Sequence, residues 1–302
     1  MNQQKIRAVI ILSSIVALLV ALIVVSWLVF QPATQPVVTD ARSYLRLPTN
    51  ELVIDFFDIG QGDGALIRLP NGDDVVVDGG PDATIVKKLG ATLPLYDHTI
   101  EYVILSHSHT DHLVGLVELL DRYKVEVVMM PEAEAHSAEY DAWMSKLQEK
   151  NIETKFITST STFELAPNVV IDMLWPAQSF ENKKVENLNN TSIVFKLTYV
   201  SSTALFTGDY EDEETLVSLG EQLDVDLLKV GHHGSSNAND DAFINASKPE
   251  YAVISCGIDN SFKHPHYRTL YNLERVNAKV LRTDLLGDIR FVSTGGEWQL
   301  IH

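Results

Sequence analysis

Four potential metal ligands stand within six residues of this sequence: His107, His109, Asp111 and His112. They follow a segment with the pattern of a buried strand, Glu101–Ser106, and precede an apolar segment with the pattern of a helix, Leu113–Leu120. A loop held between two such elements can direct several side chains to one point. Imidazole and carboxylate groups suit a borderline divalent cation, with Zn²⁺ as the first choice and Mn²⁺ or Fe²⁺ as alternatives. The competing interpretation is a solvated polar loop.

The spacing of these four residues resembles a known family signature. His-x-His-x-Asp-His after a hydrophobic strand is similar to the signature of the metallo-β-lactamase superfamily. The resemblance implies a dinuclear site, with His107 and His109 on one metal and Asp111 and His112 on the other. It also implies the fold class, an α/β protein in four layers (αββα), with two sheets packed face to face and helices outside.

Two later segments match the order of motifs in that superfamily. Asp209 follows the strand-like segment Thr203–Phe206, at the position where the family's carboxylate bridges both metals. The pair His232 and His233 follows the strand-like segment Val225–Val230 and supplies the late histidine ligand. His232 is the predicted ligand, because a Gly-His pair at a strand end is the usual form. His233 is then expected beside the metal or facing the phosphate, and the reverse assignment stays open.

A narrower resemblance covers nearly all of the chain from Val53 onward. Its motifs are similar to those of the hydrolase domain of ComEC-type competence (DNA-uptake) proteins and of bacterial phosphorylcholine esterases: Phe57–Asp63, Val77–Gly80, Asn189–Ser192, Val230–Ser235, His264–His266 and Arg282–Asp284. This sequence shows neither the multi-span channel nor the oligonucleotide-binding-like domain that a ComEC-type protein normally carries. At the third metal motif, where the wider superfamily has His, it has Asn189–Asn190. The first metal is then left with three protein ligands, which are His107, His109 and Asp209.

Hydropathy divides the chain into three parts. Residues 8–30 carry no charge, and at about 1.5 Å per residue they are long enough to cross the ~30 Å hydrocarbon core as a helix. Lys5 and Arg7 precede this run, so we expect a single-pass membrane anchor over residues 1–30, with the following domain outside the cytoplasm. A cleaved signal peptide is the alternative. A proline-containing linker over residues 31–50 and a hydrolase domain over residues 51–302 complete the predicted organisation.

The acidic composition limits the partners of this domain. The chain has 41 Asp and Glu against 23 Lys and Arg, a formal net charge of −18. Because a polyanion is bound largely by Lys and Arg that displace its counterions, such a surface is a poor non-specific partner for nucleic acid. Bound divalent cations would supply the local positive field that a phosphodiester requires. The single cysteine, Cys256, excludes an intramolecular disulfide and has the setting of a small core residue.

The motifs together predict a phosphodiesterase or nuclease that acts through a dinuclear metal site and a bridging hydroxide. By the resemblance, Asp209 bridges the metals and Asp111 positions the hydroxide. His233 or His264 would neutralise the developing charge, and Asp78 is expected to orient a metal-bound histidine. The expected substrate is DNA, a nucleotide or a phosphoester head group, and the sequence indicates no protein partner. Two alternatives stay open: an ester, thioester or lactam hydrolase of the same fold, and a non-catalytic DNA-uptake or envelope-binding subunit.

Overall fold

The structure is a computed structural model that describes residues 48–301. The predicted anchor, residues 1–30, and residues 31–47 of the predicted linker lie outside this range. Within the described range, no helix is both long and apolar enough to cross a bilayer. The single-pass topology therefore stays a prediction from the sequence.

Residues 48–301 contain fifteen strands that form two sheets. In chain order the strands are β1 (Leu52–Phe56), β2 (Ala65–Arg68), β3 (Asp74–Val77), β4 (Thr99–Ile104), β5 (Lys124–Pro131), β6 (Glu153–Ile157), β7 (Ser161–Ala166), β8 (Val169–Trp175), β9 (Val194–Tyr199), β10 (Ser202–Phe206), β11 (Leu227–Lys229), β12 (Tyr251–Ile254), β13 (Lys279–Arg282), β14 (Ile289–Ser293) and β15 (Gln299–Ile301). The first sheet has the order β15-β14-β1-β2-β3-β4-β5-β6, and the second has the order β13-β12-β11-β10-β9-β8-β7.

The strands that precede the candidate ligands are parallel to their neighbours. In the first sheet β3 pairs parallel with β4. In the second sheet β11 lies between β10 and β12 and pairs parallel with both. Parallel strands have their carboxyl ends at the same edge, so the loops that leave them are neighbours. The loops of the two sheets also meet, because the Ile193 amide donates to the Ser106 carbonyl at 2.8 Å. This junction gathers loops that are far apart in sequence.

Three apolar clusters define the four layers. The inner faces of both sheets pack together, with the rings of Phe56 and Phe206 stacked at 5.7 Å between centroids. The outer face of the first sheet is covered by α1 (Thr84–Thr92), α2 (Thr110–Arg122) and α3 (Ala138–Glu149). The outer face of the second sheet is covered by α4 (Glu213–Val217), α5 (Asp241–Ser247) and α6 (Tyr267–Arg275), and the short α7 (Thr283–Leu286) follows β13. The predicted αββα arrangement is confirmed.

The structure differs from the sequence pattern at two places. The pattern predicts no strand between Lys155–Ile157 and Val169–Trp175, but β7 lies there, at the edge of the second sheet, with two of its six residues exposed. The pattern also predicts a strand over Ser192–Tyr199, whereas β9 begins at Val194. The residues before it form a 3-10 turn, Leu188–Thr191, whose first turn is capped by the Asn187 side chain. That turn brings Asn189 into the interior.

The start of α2 is fixed by close backbone contact with the loop after β3. The Gly79 amide donates to the His112 carbonyl at 2.7 Å, and the Gly115 amide donates to the Gly80 carbonyl at 3.0 Å. A Cβ atom on Gly115 would overlap the Gly79 carbonyl oxygen. Glycine at this position therefore allows the helix to approach the loop closely enough to set the position of its first turn.

We expect Gly115→Ala to lower the free energy of unfolding by about 1–3 kcal/mol, because the added methyl group must push α2 away from Gly79. Gly90→Ala is the matched control, since its Cβ would have only the Tyr123 hydroxyl within 4 Å, at 3.9 Å. That substitution should stabilise α1 by about 0.5–1 kcal/mol. Urea unfolding of both variants measures the difference. Equal effects of the two substitutions would show that the close approach does not constrain the fold.

Candidate metal centre

His107 and His109 lie on the loop that leaves β4, and their imidazoles face one another. His107 is fully buried, and its Nε2 atom lies 3.0 Å from Nδ1 of His109. The ring of His112, from the first turn of α2, lies 4.3 Å from the ring of His107 between centroids. The predicted ligands of the first metal are thus together, and they adjoin a predicted ligand of the second.

A second group of ligand atoms converges beside them. One ligand atom from each of four residues lies within 4.8 Å of the others: Asp111, His112, Asp209 and His233. Oδ2 of Asp209 is 3.3 Å from Nε2 of His112 and 3.5 Å from Nε2 of His233. The same His233 nitrogen is 3.2 Å from Oδ2 of Asp111. Asp209 therefore lies between the two histidines. His112 comes from a loop of the first sheet, whereas Asp209 and His233 come from loops of the second.

The predicted ligand His232 lies outside this group. Its Nδ1 atom is 2.9 Å from a carboxylate oxygen of Glu211, and its Nε2 atom is 3.7 Å from Asp209. Both histidines have left-handed backbone conformations, with φ of 48° at His232 and 52° at His233, so the turn Gly231–Gly234 sends their side chains to different sides. His233 is buried, whereas the His232 side chain is 21% exposed. The geometry favours the reverse assignment, with His233 as the ligand and His232 beside it.

A buried asparagine closes the turn that carries these two histidines. Oδ1 of Asn239 accepts from the Gly231 amide at 3.0 Å, and its Nδ2 donates to the carbonyls of Gly231 and Ser235 at 2.9 and 3.3 Å. The backbone amide of Asn239 in turn donates to the Glu213 carboxylate at 2.5 Å. With its polar groups satisfied in this way, the turn can hold two residues in the left-handed conformation.

Asp78 makes the predicted orienting contact. Its carboxylate accepts hydrogen bonds from the amide and the hydroxyl of Ser106, both at 2.7 Å, and lies 2.8 Å from Nδ1 of His112. Burial alone would lower the pKa of His112, but Asp209, Asp78 and Asp111 raise it well above its usual value, and Nδ1 donates its proton to Asp78. Such a carboxylate–histidine pair fixes the ring and its tautomer for metal binding.

A buried lysine pairs with a carboxylate that contacts His233, and no motif in the sequence predicts this pair. Nζ of Lys229, at the end of β11, lies 2.6 Å from Oδ2 of Asp63. Oδ1 of Asp63 is 3.2 Å from Nδ1 of His233, which also lies 3.0 Å from the Ser255 carbonyl oxygen. Burial alone would raise the pKa of Asp63, but Lys229 and His233 lower it to about 2. Asp63 therefore stays ionised beside His233.

The electrostatics of this cluster call for a cation. Four carboxylates lie beside the histidines: Asp63, Asp78, Asp111 and Asp209. Within residues 48–301, Lys229 is the one lysine that pairs with any of them. Burial would lower the pKa of His233, yet Asp209 and Asp63 raise it to about 10. Nε2 of His112 and Oδ1 of Asp209 are buried without a well-formed hydrogen bond among the described residues. Oxygen and imidazole donors left free in an anionic pocket fit a divalent cation.

His264 lies beside the centre, as the sequence predicted, but in a neutral state. Its ring is 5.7 Å from that of His232 and 6.2 Å from that of His233 between centroids. Burial and the neighbouring His233 lower the pKa of His264 to about 4. At neutral pH an imidazole with this pKa carries no charge and can donate one hydrogen bond. Its role towards substrate stays a prediction.

The acidic run Glu211–Glu214 predicts the charged first turn of a helix, but α4 begins two residues after Glu211. The Glu211 carboxylate lies 2.9 Å from Nδ1 of His232 and accepts from Nδ2 of Asn187 at 2.6 Å and from Nδ2 of Asn189 at 3.2 Å. Glu211 thus connects the His232 side of the centre to the turn that precedes β9. Its partners come from separate loops, so no local pattern could have identified this role.

This fold and this convergence of histidines and carboxylates define a class of protein. The chain belongs to the metallo-beta-lactamase superfamily, whose family model matches residues 58–258. Two of its curated relatives are competence proteins by name. ComE operon protein 3 of Bacillus subtilis (strain 168) is 26% identical over 262 residues, which cover 80% of this chain and 33% of that protein. Competence protein ComA of Neisseria gonorrhoeae is 27% identical over 252 residues, which cover 81% of this chain and 33% of that protein.

These comparisons confirm the resemblance to ComEC-type proteins, and the chain spans about a third of the length of these relatives. Among solved structures, a metallo hydrolase from the archaeon Ignicoccus hospitalis, Igni18, matches with a TM-score of 0.52 and 14% identity. The match covers 83% of this chain and 99% of that one. At this identity the likeness shows a shared fold. Members of the superfamily are usually metal-dependent hydrolases, and the donor set described above is consistent with that class.

We expect Lys229→Met to lower the free energy of unfolding by roughly 3–5 kcal/mol, because it leaves the buried Asp63 carboxylate without its cation. Lys196→Met is the control, since Lys196 lies on β9 and donates only to the carbonyls of Gln222 and Asp224. Adding Asp63→Asn to Lys229→Met should recover part of the loss, because the unpaired charge is then removed. Urea unfolding with metal chelated measures all three. If Lys229→Met is no more destabilising than Lys196→Met, the buried pair does not support the site.

Proposed function

We propose that this protein is a phosphodiesterase, acting on nucleic acid, whose centre binds two divalent cations, with Zn²⁺ as the first choice and Mn²⁺ as the second. The observation that carries the proposal is the convergence of Asp111, His112, Asp209 and His233 beside the facing nitrogens of His107 and His109. Two divalent cations held by these residues would supply Lewis acidity and would lower the pKa of bound water. The remaining chemistry belongs to residues of the chain.

Asp209 is suited to bridge the two cation positions. Its side chain is buried, Oδ2 faces His112 and His233, and Oδ1 has no well-formed hydrogen bond among the described residues. The Asp209 backbone is held by a hydrogen bond from its amide to the Ser192 hydroxyl at 3.2 Å. A carboxylate fixed in this way and open on one oxygen can serve two cations at once. This is the role that the sequence resemblance implied.

Asp111 and His264 are the groups best placed to meet substrate. The Asp111 side chain is 30% exposed, more than Asp209 or His233, so it lies where the centre opens to solvent. From there it can orient the attacking water. His264, neutral and held near Gln61 with 3.5 Å between its Nδ1 and the Gln61 Nε2 atom, can donate from Nε2 to a phosphoryl oxygen. Both act by positioning and hydrogen bonding, as phosphoryl transfer requires.

An exposed aromatic ring beside His264 supports a nucleotide-containing substrate. Phe262 is 60% exposed, and its ring stacks on that of His264 with 5.6 Å between centroids and 21° between planes. The outer face of this ring is available to a planar base, and stacking of this kind contributes about 1–3 kcal/mol per base in single-strand binders. Bases are accessible for stacking in single strands and ends rather than in duplexes. We therefore favour single-stranded nucleic acid over a phosphoester head group.

The relatives motivate a link to DNA uptake at the membrane. Both are competence proteins by name, and the chain matches a third of their length. Together with the uncharged run over residues 8–30, this supports a single-pass protein of the cell membrane with its hydrolase domain outside the cytoplasm. No contact among the described residues favours acyl transfer or a purely binding role. The cleavage experiment distinguishes both alternatives from phosphodiester hydrolysis.

We expect Asp209→Ala to abolish metal-dependent cleavage of a single-stranded oligonucleotide, with the fold retained. Removal of this carboxylate should lose the shared ligand and the cation spacing together. Asp212→Ala is the control, since Asp212 is exposed and its carboxylate accepts only from the Thr215 hydroxyl, at 3.0 Å, among the described residues. It should stay near wild type in rate and lose only about 0.3–1 kcal/mol of stability, the usual contribution of an acid at a helix start. Product release on gels and circular dichroism provide the two readouts.

Three results would contradict this assignment. If Asp209→Ala cleaves as fast as wild type, the centre is not the site of reaction. If wild type leaves oligonucleotides and simple phosphodiesters intact but hydrolyses a thioester or lactam, acyl transfer replaces the proposal. If metal-loaded wild type binds nucleic acid and hydrolyses nothing, the protein is a binding subunit.

We expect alkaline phosphatase fused after Asn50 to be active in cells, because the reporter requires export and Lys5 and Arg7 favour retention of the N-terminus in the cytoplasm. Green fluorescent protein fused at the same position should be dark when exported unfolded. The opposite pair of results would place the domain in the cytoplasm. Detection of a mature protein that begins after residue 30 would instead indicate a cleaved signal peptide.

A further inference from the structure

Asn189 occupies the stretch where the superfamily usually has its third metal-binding histidine. It is 7% exposed, on the 3-10 turn Leu188–Thr191 that precedes β9. The Asn187 side chain caps this turn by accepting from the Asn189 amide at 3.0 Å. The side chain of Asn189 is thus carried inward on a short, pinned segment next to the loop with His107 and His109.

The orientation of the Asn189 amide is set by Glu211. Nδ2 of Asn189 donates to Oε1 of Glu211 at 3.2 Å. An ionised carboxylate only accepts hydrogen bonds, so it selects the NH₂ end of the amide and turns the carbonyl oxygen away. Oδ1 of Asn189 is buried and has no well-formed hydrogen bond among the described residues. A buried oxygen in that state costs free energy unless something binds it.

The turn that carries Asn189 is held against the candidate centre where it leaves for β9. The Ile193 amide donates to the carbonyl of Ser106, the residue before His107, at 2.8 Å, and the Asp209 amide donates to the Ser192 hydroxyl at 3.2 Å. His109 lies on the same loop as Ser106, with its Nδ1 3.0 Å from Nε2 of His107. The buried oxygen of Asn189 therefore belongs to a segment that borders both the histidine loop and Asp209.

We propose that Oδ1 of Asn189 completes the first cation site, with His107, His109 and Asp209, in the place of the histidine that the wider superfamily uses. This inference rests on the proposed dinuclear centre and adds to it a ligand and a metal preference. An amide oxygen is a harder donor than imidazole, and harder donors shift the relative affinity from Zn²⁺ towards Mn²⁺. Glu211 is then a positioning residue that keeps the oxygen, rather than the NH₂ group, directed at the cation.

The test measures Zn²⁺ and Mn²⁺ binding to the full chain in detergent, by competition with a chromophoric chelator, for three variants. Asn189→Ala should weaken one of the two binding steps by about 10-fold or more and leave the other unchanged. Asn189→Asp, which is nearly isosteric, should keep or tighten that step. Asn189→His should raise the ratio of Zn²⁺ to Mn²⁺ affinity at that step only. Asn237→Ala is the control, since Asn237 is exposed and donates to the same Glu211 oxygen at 3.4 Å.

The outcomes separate this inference from the proposed function. If wild type binds two cations and Asn189→Ala binds both as tightly as wild type, the ligand assignment is wrong and the dinuclear centre stands. If Asn189→Ala weakens both steps equally and Asn189→Asp does the same, Asn189 supports the fold and is not a ligand. If wild type binds no stoichiometric cation, the dinuclear centre itself fails. Unchanged metal ratios in Asn189→His would contradict the proposed preference.

Discussion

The accumulation of buried negative charge where the two sheets meet is the constraint on which the rest of the structure depends. Asp63, Asp78 and Asp209 are each at most 4% exposed, and an unpaired charge at such depth is strongly unfavourable. The chain answers part of this charge itself, through the Lys229 ammonium and through imidazoles that become more basic. Divalent cations, which this fold usually binds, would neutralise the remainder. Metal binding and folding should accordingly be coupled in this protein.

The scaffold meets this constraint by converging on one point from both halves of the chain. Parallel strands deliver their loops to adjacent edges, and Gly79 and Gly115 let α2 start close enough to place His112 against Asp78. In the other half, Asn239 closes the turn that turns His233 inward. His112 and His233 each have Nδ1 facing a buried carboxylate, Asp78 and Asp63 respectively, and both direct Nε2 towards Asp209. A similar orienting device thus occurs on each side of a shared carboxylate.

Sequence reasoning was most successful where chemistry is local. The cluster from His107 to His112 has its ligands in one loop, so its spacing was sufficient to predict a metal site, and the resemblance it carries gave the fold and the distant Asp209. It was least successful where a backbone conformation, or a contact between residues far apart in sequence, determines the role of a side chain. Two consecutive left-handed residues turn His233, rather than the predicted ligand His232, towards Asp111 and Asp209, and no residue pattern predicts that backbone conformation. The choice between the two as the metal ligand stays a prediction. Glu211 and Lys229 acquire their functions from partners on other loops, which only the folded chain brings together.

The cluster is expected to be a metal centre in which His233, rather than His232, is the histidine ligand from the second half of the chain. Anomalous diffraction at the zinc edge, from crystals of the protein loaded with Zn²⁺, tests it most directly. Two anomalous peaks are expected. One should be bounded by Asp111, His112, Asp209 and Nε2 of His233, and the other by His107, His109 and Asp209. The absence of a peak in this cluster, or a peak bounded by His232 with His233 turned away, would contradict this assignment.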